Sequence, residues 1–210
     1  MQLSDYELYI FDFDGTLSVP SLFVRLSRYF KKRYDIDFIK EHEDLFNRKL
    51  ELNDEELKAE KEERLYSSIY NLYSLFFKPR IKDSSDALLK TLKERKKKIA
   101  LFSDGKEYRI RSELAKLRLE EYFDFVLAAD SINIFKPNPT PLLLTIKKLR
   151  VPREKSIYIG DMPVDIFTAK FAQISSCAVA DGLASKELLK KAEPDFLFDN
   201  IKALKEALNK

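Results

Sequence analysis

A chain of 210 residues, 45% hydrophobic and carrying 16 Phe and 10 Tyr, has material for one full core plus a smaller attached module, which excludes a disordered or fibrous protein. Its 38 basic and 35 acidic side chains leave a net charge of +3, too little to point to nucleic acid. A single cysteine, Cys177, excludes an intramolecular disulfide, and its apolar run SSCAVA makes a packed core thiol the expectation.

The opening MQLSDYELYIFDFDGTL lacks a basic segment followed by a long apolar one, and so does not read as a signal peptide. No run approaches the roughly 18 apolar residues of a membrane span. A soluble cytoplasmic protein without membrane or nucleic-acid partners is expected, as a monomer or homodimer. The first apolar run, Leu8-Tyr9-Ile10-Phe11, stops at Asp12 and the turn-forming Asp14-Gly15, and reads as a buried strand. From Val19 to Lys78 the only Gly or Pro is Pro20, and the apolar spacing becomes helical. Leu22, Leu26, Tyr29 and Phe30 make one face, and Ile39, His42, Leu45 and Phe46 a second. Asn53 and Glu56 resemble a capping pair that opens a third helix. Residues 18–80 are therefore expected to form an all-helical module, in which the lone His42 is a packing or solvated residue rather than a catalytic one.

From Asp83 the pattern alternates. Helix Ala87–Lys97 leads to strand Ile99–Phe102, helix Glu107–Leu117 to strand Phe125–Leu127, and helix Pro141–Leu149 to strand Ser156–Ile159. Helix Val164–Ala172 leads to strand Cys177–Val179, and strand Phe196–Phe198 precedes helix Ile201–Leu208. Such alternation with continuous apolar strands implies an α/β fold, a parallel sheet covered on both faces. Ligands of these sheets bind at the carboxyl ends of the strands. Asp12, Ser103 and Asp161 fall there, and three of the four glycines, Gly15, Gly105 and Gly160, lie within three residues of those ends.

Four segments carry chemistry: Asp12-Phe13-Asp14-Gly15-Thr16-Leu17, Phe102-Ser103-Asp104-Gly105, Phe135-Lys136-Pro137-Asn138-Pro139 and Gly160-Asp161-Met162-Pro163-Val164-Asp165. In order and spacing they resemble the motifs of the haloacid dehalogenase-like (HAD) superfamily, in a phosphoglycolate phosphatase-like form. The resemblance implies a Rossmann-like core over residues 1–17 and 81–210, with residues 18–80 as a helical cap inserted after the first motif. It implies that Asp12 is the nucleophile and Asp14 the acid/base. Ser103 and Lys136, with the Asp104-Gly105 backbone, would bind the phosphate. Asp12, Asp161 and the backbone carbonyl of Asp14 would hold Mg2+, with Asp165 behind them.

The residue types suit that chemistry. Positions i and i+2 of an extended segment face the same way, so Asp12 and Asp14 can converge on one substrate. A carboxylate is a competent nucleophile, and a second carboxyl can protonate the leaving alcohol and later deprotonate the attacking water. Charge counting asks for a metal: a phosphate ester brings about two negative charges to a site already rich in carboxylates. Like charges about 4 Å apart repel by roughly 4 kcal/mol at an effective dielectric of about 20. The leading expectation is Mg2+-dependent hydrolysis of a small phosphorylated metabolite. A phosphomutase using the same aspartyl-phosphate, or a non-catalytic metal-binding regulatory protein, are the alternatives. Dehalogenation is disfavoured by Asp14. No motif in 18–80 assigns a substrate, although Arg25, Arg28, Arg48, Arg64, Tyr66, Tyr70 and Tyr73 belong to it. Relatives often carry a glycine after the fourth-motif helix, where this chain reads Ala172-Gln173-Ile174.

Overall fold

The computed structural model describes residues 2–21, 36–41, 43–46 and 78–209. The strands are β1 (Leu8–Phe11), β2 (Lys98–Ser103), β3 (Phe125–Ala128), β4 (Ser156–Gly160), β5 (Ser175–Val179) and β6 (Phe196–Phe198). They form one parallel sheet in the order β3-β2-β1-β4-β5-β6. β1, the first strand made, lies at the centre, with Phe11 in register with Leu101 on one side and Ile159 on the other. The direction of winding reverses at β1, so the ligand crevice of such a sheet opens beyond the ends of β1 and β4.

The helices among the described residues are α1 (Ile36–Glu41), α2 (Glu43–Phe46), α3 (Ser85–Glu94), α4 (Glu107–Leu117), α5 (Thr140–Leu149), α6 (Pro163–Ala172), α7 (Lys186–Lys191) and α8 (Ile201–Ala207). Strand residues alternate between the two faces of the sheet. Tyr9, Phe11, Ile99 and Leu101 pack with Leu88 and Leu92 of α3, Ile110 and Leu114 of α4 and Leu204 of α8. Leu8, Ile10, Ala100, Phe102 and Tyr158 face the other way, onto Leu142 and Ile146 of α5 and Ala169 of α6. Every residue of β1 is buried, as its unbroken apolar run requires.

The first strand and the elements expected from Asp83 onward are present, with shifts at their ends. α3 begins at Ser85 and stops at Glu94, short of the expected Lys97, because Lys96 takes a left-handed φ of 56° and Lys98 already opens β2. α6 ends on Gln173 with φ 56°, the conformation that a glycine there would adopt freely. Of the expected helical module, α1 and α2 are described; Ile36 and Ile39 are buried against Val164, Ile166 and Phe167 of α6. His42, the Asn53–Glu56 pair and the arginines and tyrosines named in that module lie outside the described residues. Among the described residues no helix is long and apolar enough to cross a membrane.

Candidate active site

The carboxyl ends of β1, β2 and β4 bring the expected residues together, and they are buried. Asp12, Ser103 and Asp161 are 0% exposed, Asp165 1%, Lys136 2% and Asp14 3%. A buried charge must be paired or hold a cation. Lys136 does the first: its Nζ lies 2.6 Å from Asp12 Oδ1 and 2.7 Å from Asp165 Oδ1, and so separates the two carboxylates. The ammonium also sits 5.4 Å from the ring centroids of both Phe102 and Tyr158, which wall it in with cation–π contacts. Burial opposes its charge, yet the Asp12 and Asp165 carboxylates outweigh that, and the Lys136 ammonium is held well above the ordinary lysine range.

Asp161 and Asp165 divide their work. Asp165 Oδ2 accepts the backbone N–H groups of Asp161 (3.2 Å) and Met162 (2.9 Å), so Asp165 closes the first turn of α6 while its other oxygen meets Lys136. Asp161 is thereby relieved of capping. Its Oδ1 accepts the Thr16 hydroxyl at 3.0 Å and its Oδ2 the Leu183 N–H at 2.7 Å. One oxygen from each of Asp12, Asp161 and Asp165 lies within 4.8 Å of the others, an arrangement fit to hold a metal ion. The donor set is all oxygen, which suits a hard cation such as Mg2+.

Asp104, whose backbone is expected at the phosphate, turns its carboxylate to the Lys136 backbone N–H at 3.1 Å, and so orients the loop that carries the lysine. The Gly105 N–H, expected as a phosphate donor, reaches Ser103 Oγ at 3.1 Å. Asp14 does not stand open beside Asp12. Arg109 of α4 grips it by both oxygens: Nη1 lies 2.9 Å from Oδ1, and Nη2 meets Oδ2. Nη1 also contacts Glu113 Oε1, one turn along, at 3.2 Å.

Arg109 escapes motif reading, although it carries a signal. It shares the inner stripe of α4 with Ile110, Glu113 and Leu114, where an arginine stands out among buried apolar neighbours. Tyr158, in the middle of the buried run SIYIG, needs a hydroxyl partner, and its Oη reaches the Phe102 carbonyl at 3.2 Å and Asp165 Oδ1 at 3.3 Å. Burial in this acidic setting pushes its phenol well above its usual range. Thr16 and the Leu183 amide also emerge only in three dimensions.

All four glycines of the chain press on this centre. A Cβ at Gly15 or Gly182 would overlap Asp161, one at Gly160 would overlap Asp165, and one at Gly105 would overlap the Arg109 guanidinium. Only Gly15 also needs a positive φ, 89°. A surface groove of about 620 Å³ lies elsewhere, lined by Lys40, Glu43, Phe167, Lys170, Phe171 and Gln173; none of the Asp12 centre lines it.

A buried cluster of carboxylates around one lysine thus stands beyond the ends of β1 and β4, where ligands of a parallel sheet bind. Residues 9–179 match the family model described as haloacid dehalogenase-like hydrolase, and the chain belongs to that family. It is 27% identical over 162 residues to the phosphoglycolate phosphatase of Salmonella typhi, covering 74% of this chain and 63% of that protein. It is 24% identical over 203 residues to the pyrophosphatase PpaX of Oceanobacillus iheyensis, covering 92% of each. The chain thus spans less than two thirds of the length of the first of these relatives. The crystal structure of CbbY from Rhodobacter sphaeroides in complex with phosphate shares the fold, with a TM-score of 0.70 at 18% identity, over 98% of this chain and all of that one.

Proposed function

We propose that this chain is a Mg2+-dependent phosphatase that hydrolyses a small phosphate monoester through an aspartyl-phosphate on Asp12. The observation that carries the reading is the buried triad of Asp12, Asp161 and Asp165 oxygens with Lys136 bridging two of them. Four buried carboxylates, Asp12, Asp14, Asp161 and Asp165, face two cations, Lys136 and Arg109. The carboxylates outnumber the cations, and Arg109 is shared with Glu113; a divalent cation would offset that excess. Asp12, Asp161 and the Asp14 carbonyl would hold Mg2+, which when bound neutralises charge on the phosphoryl oxygens.

In this reading Asp12 attacks phosphorus in line as the bond to the leaving oxygen breaks, and Asp14 hands that oxygen a proton. Water then attacks the phosphorus of the aspartyl-phosphate, Asp14 takes its proton, and Asp12 and inorganic phosphate separate. Lys136 keeps Asp12 and Asp165 apart and donates to the transferring group. Ser103 donates its hydroxyl to a phosphoryl oxygen. To act as the acid Asp14 must first take up a proton from solvent, which requires it to release at least one Arg109 N–H; the proton later taken from water restores that form for the next cycle. Residues 18–80 serve as a cap that shields the site from bulk water. The names of the Salmonella and Oceanobacillus relatives support a small phosphorylated substrate.

The test is release of p-nitrophenol from its phosphate ester, dependent on Mg2+ and abolished by Asp12→Asn. Brief incubation with labelled substrate should leave phosphate on the wild-type chain in an acid-stable, hydroxylamine-sensitive form. Equal inertness of wild type and variant towards a broad panel of phosphate esters would sink the reading. Conversion of a sugar phosphate to its isomer without phosphate release would replace it with a mutase.

A further inference from the structure

Lys82 and Lys136 are the two buried lysines among the described residues. Lys136 is accounted for by the carboxylates it separates. Lys82, 8% exposed, lies outside the four motifs, on the segment that returns from residues 18–80 to the sheet. Immobilising a long cationic side chain away from water is costly, so the contacts that hold it are informative.

Those contacts run to the two loops that hold Asp161. The Lys82 backbone N–H donates to the Leu17 carbonyl at 2.9 Å, next to Thr16, whose hydroxyl meets Asp161 Oδ1. Lys82 Nζ donates to both the carbonyl (3.0 Å) and Oδ1 (2.8 Å) of Asp181. Two residues on, the Leu183 N–H meets Asp161 Oδ2. Gly182, between them, lies so close to Asp161 that a Cβ there would overlap its carboxylate. The 16–18 segment is itself tied to the return segment, through a Ser18–Ile81 bridge and the Val19 N–H to Arg80 carbonyl bond at 2.8 Å. One lysine thus fastens the donor of each Asp161 oxygen to the other.

We propose that Lys82 is a positioning residue for Asp161: by locking the 181–183 loop to the 16–18 segment, it fixes the direction in which Asp161 presents its oxygens to a divalent cation. The proposal rests on the metal-binding reading given above. Partners that orient a ligating carboxylate typically govern affinity by about 10-fold to 100-fold. Lys82 acts through Asp181, so the low end is expected.

Calorimetric titration of the substrate-free full chain with Mg2+, and of Mn2+ by its electron paramagnetic resonance signal, reads this without turnover. Lys82→Met should raise the dissociation constant about tenfold. Lys82→Arg should recover most of the affinity, and Lys93→Met, which removes a half-exposed lysine paired with Asp124 remote from the loops, should change nothing. If Lys82→Met does not fold by circular dichroism, Asp181→Ala removes the carboxylate half of the tie and leaves the carbonyl half, and should still raise the dissociation constant by more than about twofold. Binding by wild type that Lys82→Met or Asp181→Ala leaves within twofold overturns this inference alone. No binding by the wild-type chain overturns the magnesium reading and this one with it.

Discussion

Arg109 holds Asp14 by both carboxylate oxygens, across 95 residues of sequence, in a pair whose side chains are 9% and 4% exposed. Breaking a buried pair by removing one partner leaves an uncompensated charge, at a cost of about 3–5 kcal/mol. Arg109→Met should therefore lower unfolding stability in urea by about 3 kcal/mol. In an Asp14→Asn background the same substitution should cost less, because only Glu113 is then left without its cation. Equal costs in the two backgrounds would show that the pair contributes no coupling.

Lys136 has the opposite problem, one cation shared by two anions. The stability contributed by a group whose folded-state pKa is raised is whole below its unfolded value, about 10.4 for lysine, and is lost only as pH climbs through the folded value. The stability difference between wild type and Lys136→Met should thus stay constant from about pH 6 to about pH 9. A difference that shrinks within that window would contradict the raised value. Catalytically, the same variant should lose on the order of 10²-fold or more in kcat, the scale of one donor aimed at developing charge.

The glycines should differ in kind. Gly15→Ala meets a positive φ and the Asp161 carboxylate together, so it should cost about 1–2 kcal/mol in backbone strain and also weaken Mg2+ binding. Gly105→Ala meets the far end of Arg109, which can swing aside, and Ile110 Cδ1 at 3.0 Å. It should leave metal affinity unchanged and lose stability through the Asp14 pair and the crowded Ile110. Thermal melts with and without Mg2+ separate the two.

Cys177 lies in the core on β5, 0% exposed, and burial pushes its thiol far above the usual range. The thiolate is the reactive form, so iodoacetamide should label the chain only in denaturant. Stoichiometric labelling of the native protein would mean that β5 opens.

The sequence revealed the strands because each is a short apolar run ending in a turn residue, and burial on both faces leaves little else for such a run to do. It revealed Asp12 and Asp161 because their motifs stand at strand ends, and Lys136 by its place in the third of the four motifs. It did not reveal which oxygen meets which donor. Asp165, not Asp161, accepts the backbone amides at the first turn of α6, and the Asp104 carboxylate takes the Lys136 amide. Both are choices among near neighbours that only rotamers decide. Arg109, Tyr158 and Lys82 were harder still, since each acts across a distance in sequence that no local pattern spans. A charged residue on an inner helical stripe, and a tyrosine inside an apolar strand, were the visible traces.

The central place of β1 has a consequence for how the molecule assembles. Its partners β2 and β4 follow only after about ninety and about one hundred and fifty further residues, so neither flank can be closed by local chain. During synthesis this fully buried strand emerges before the other five and waits, its hydrogen-bonding edges open to other chains, until residue 103 covers one side and residue 160 the other. Early termination between those points would yield a fragment that carries the Asp12 strand and half a sheet, a species prone to aggregate rather than to fold.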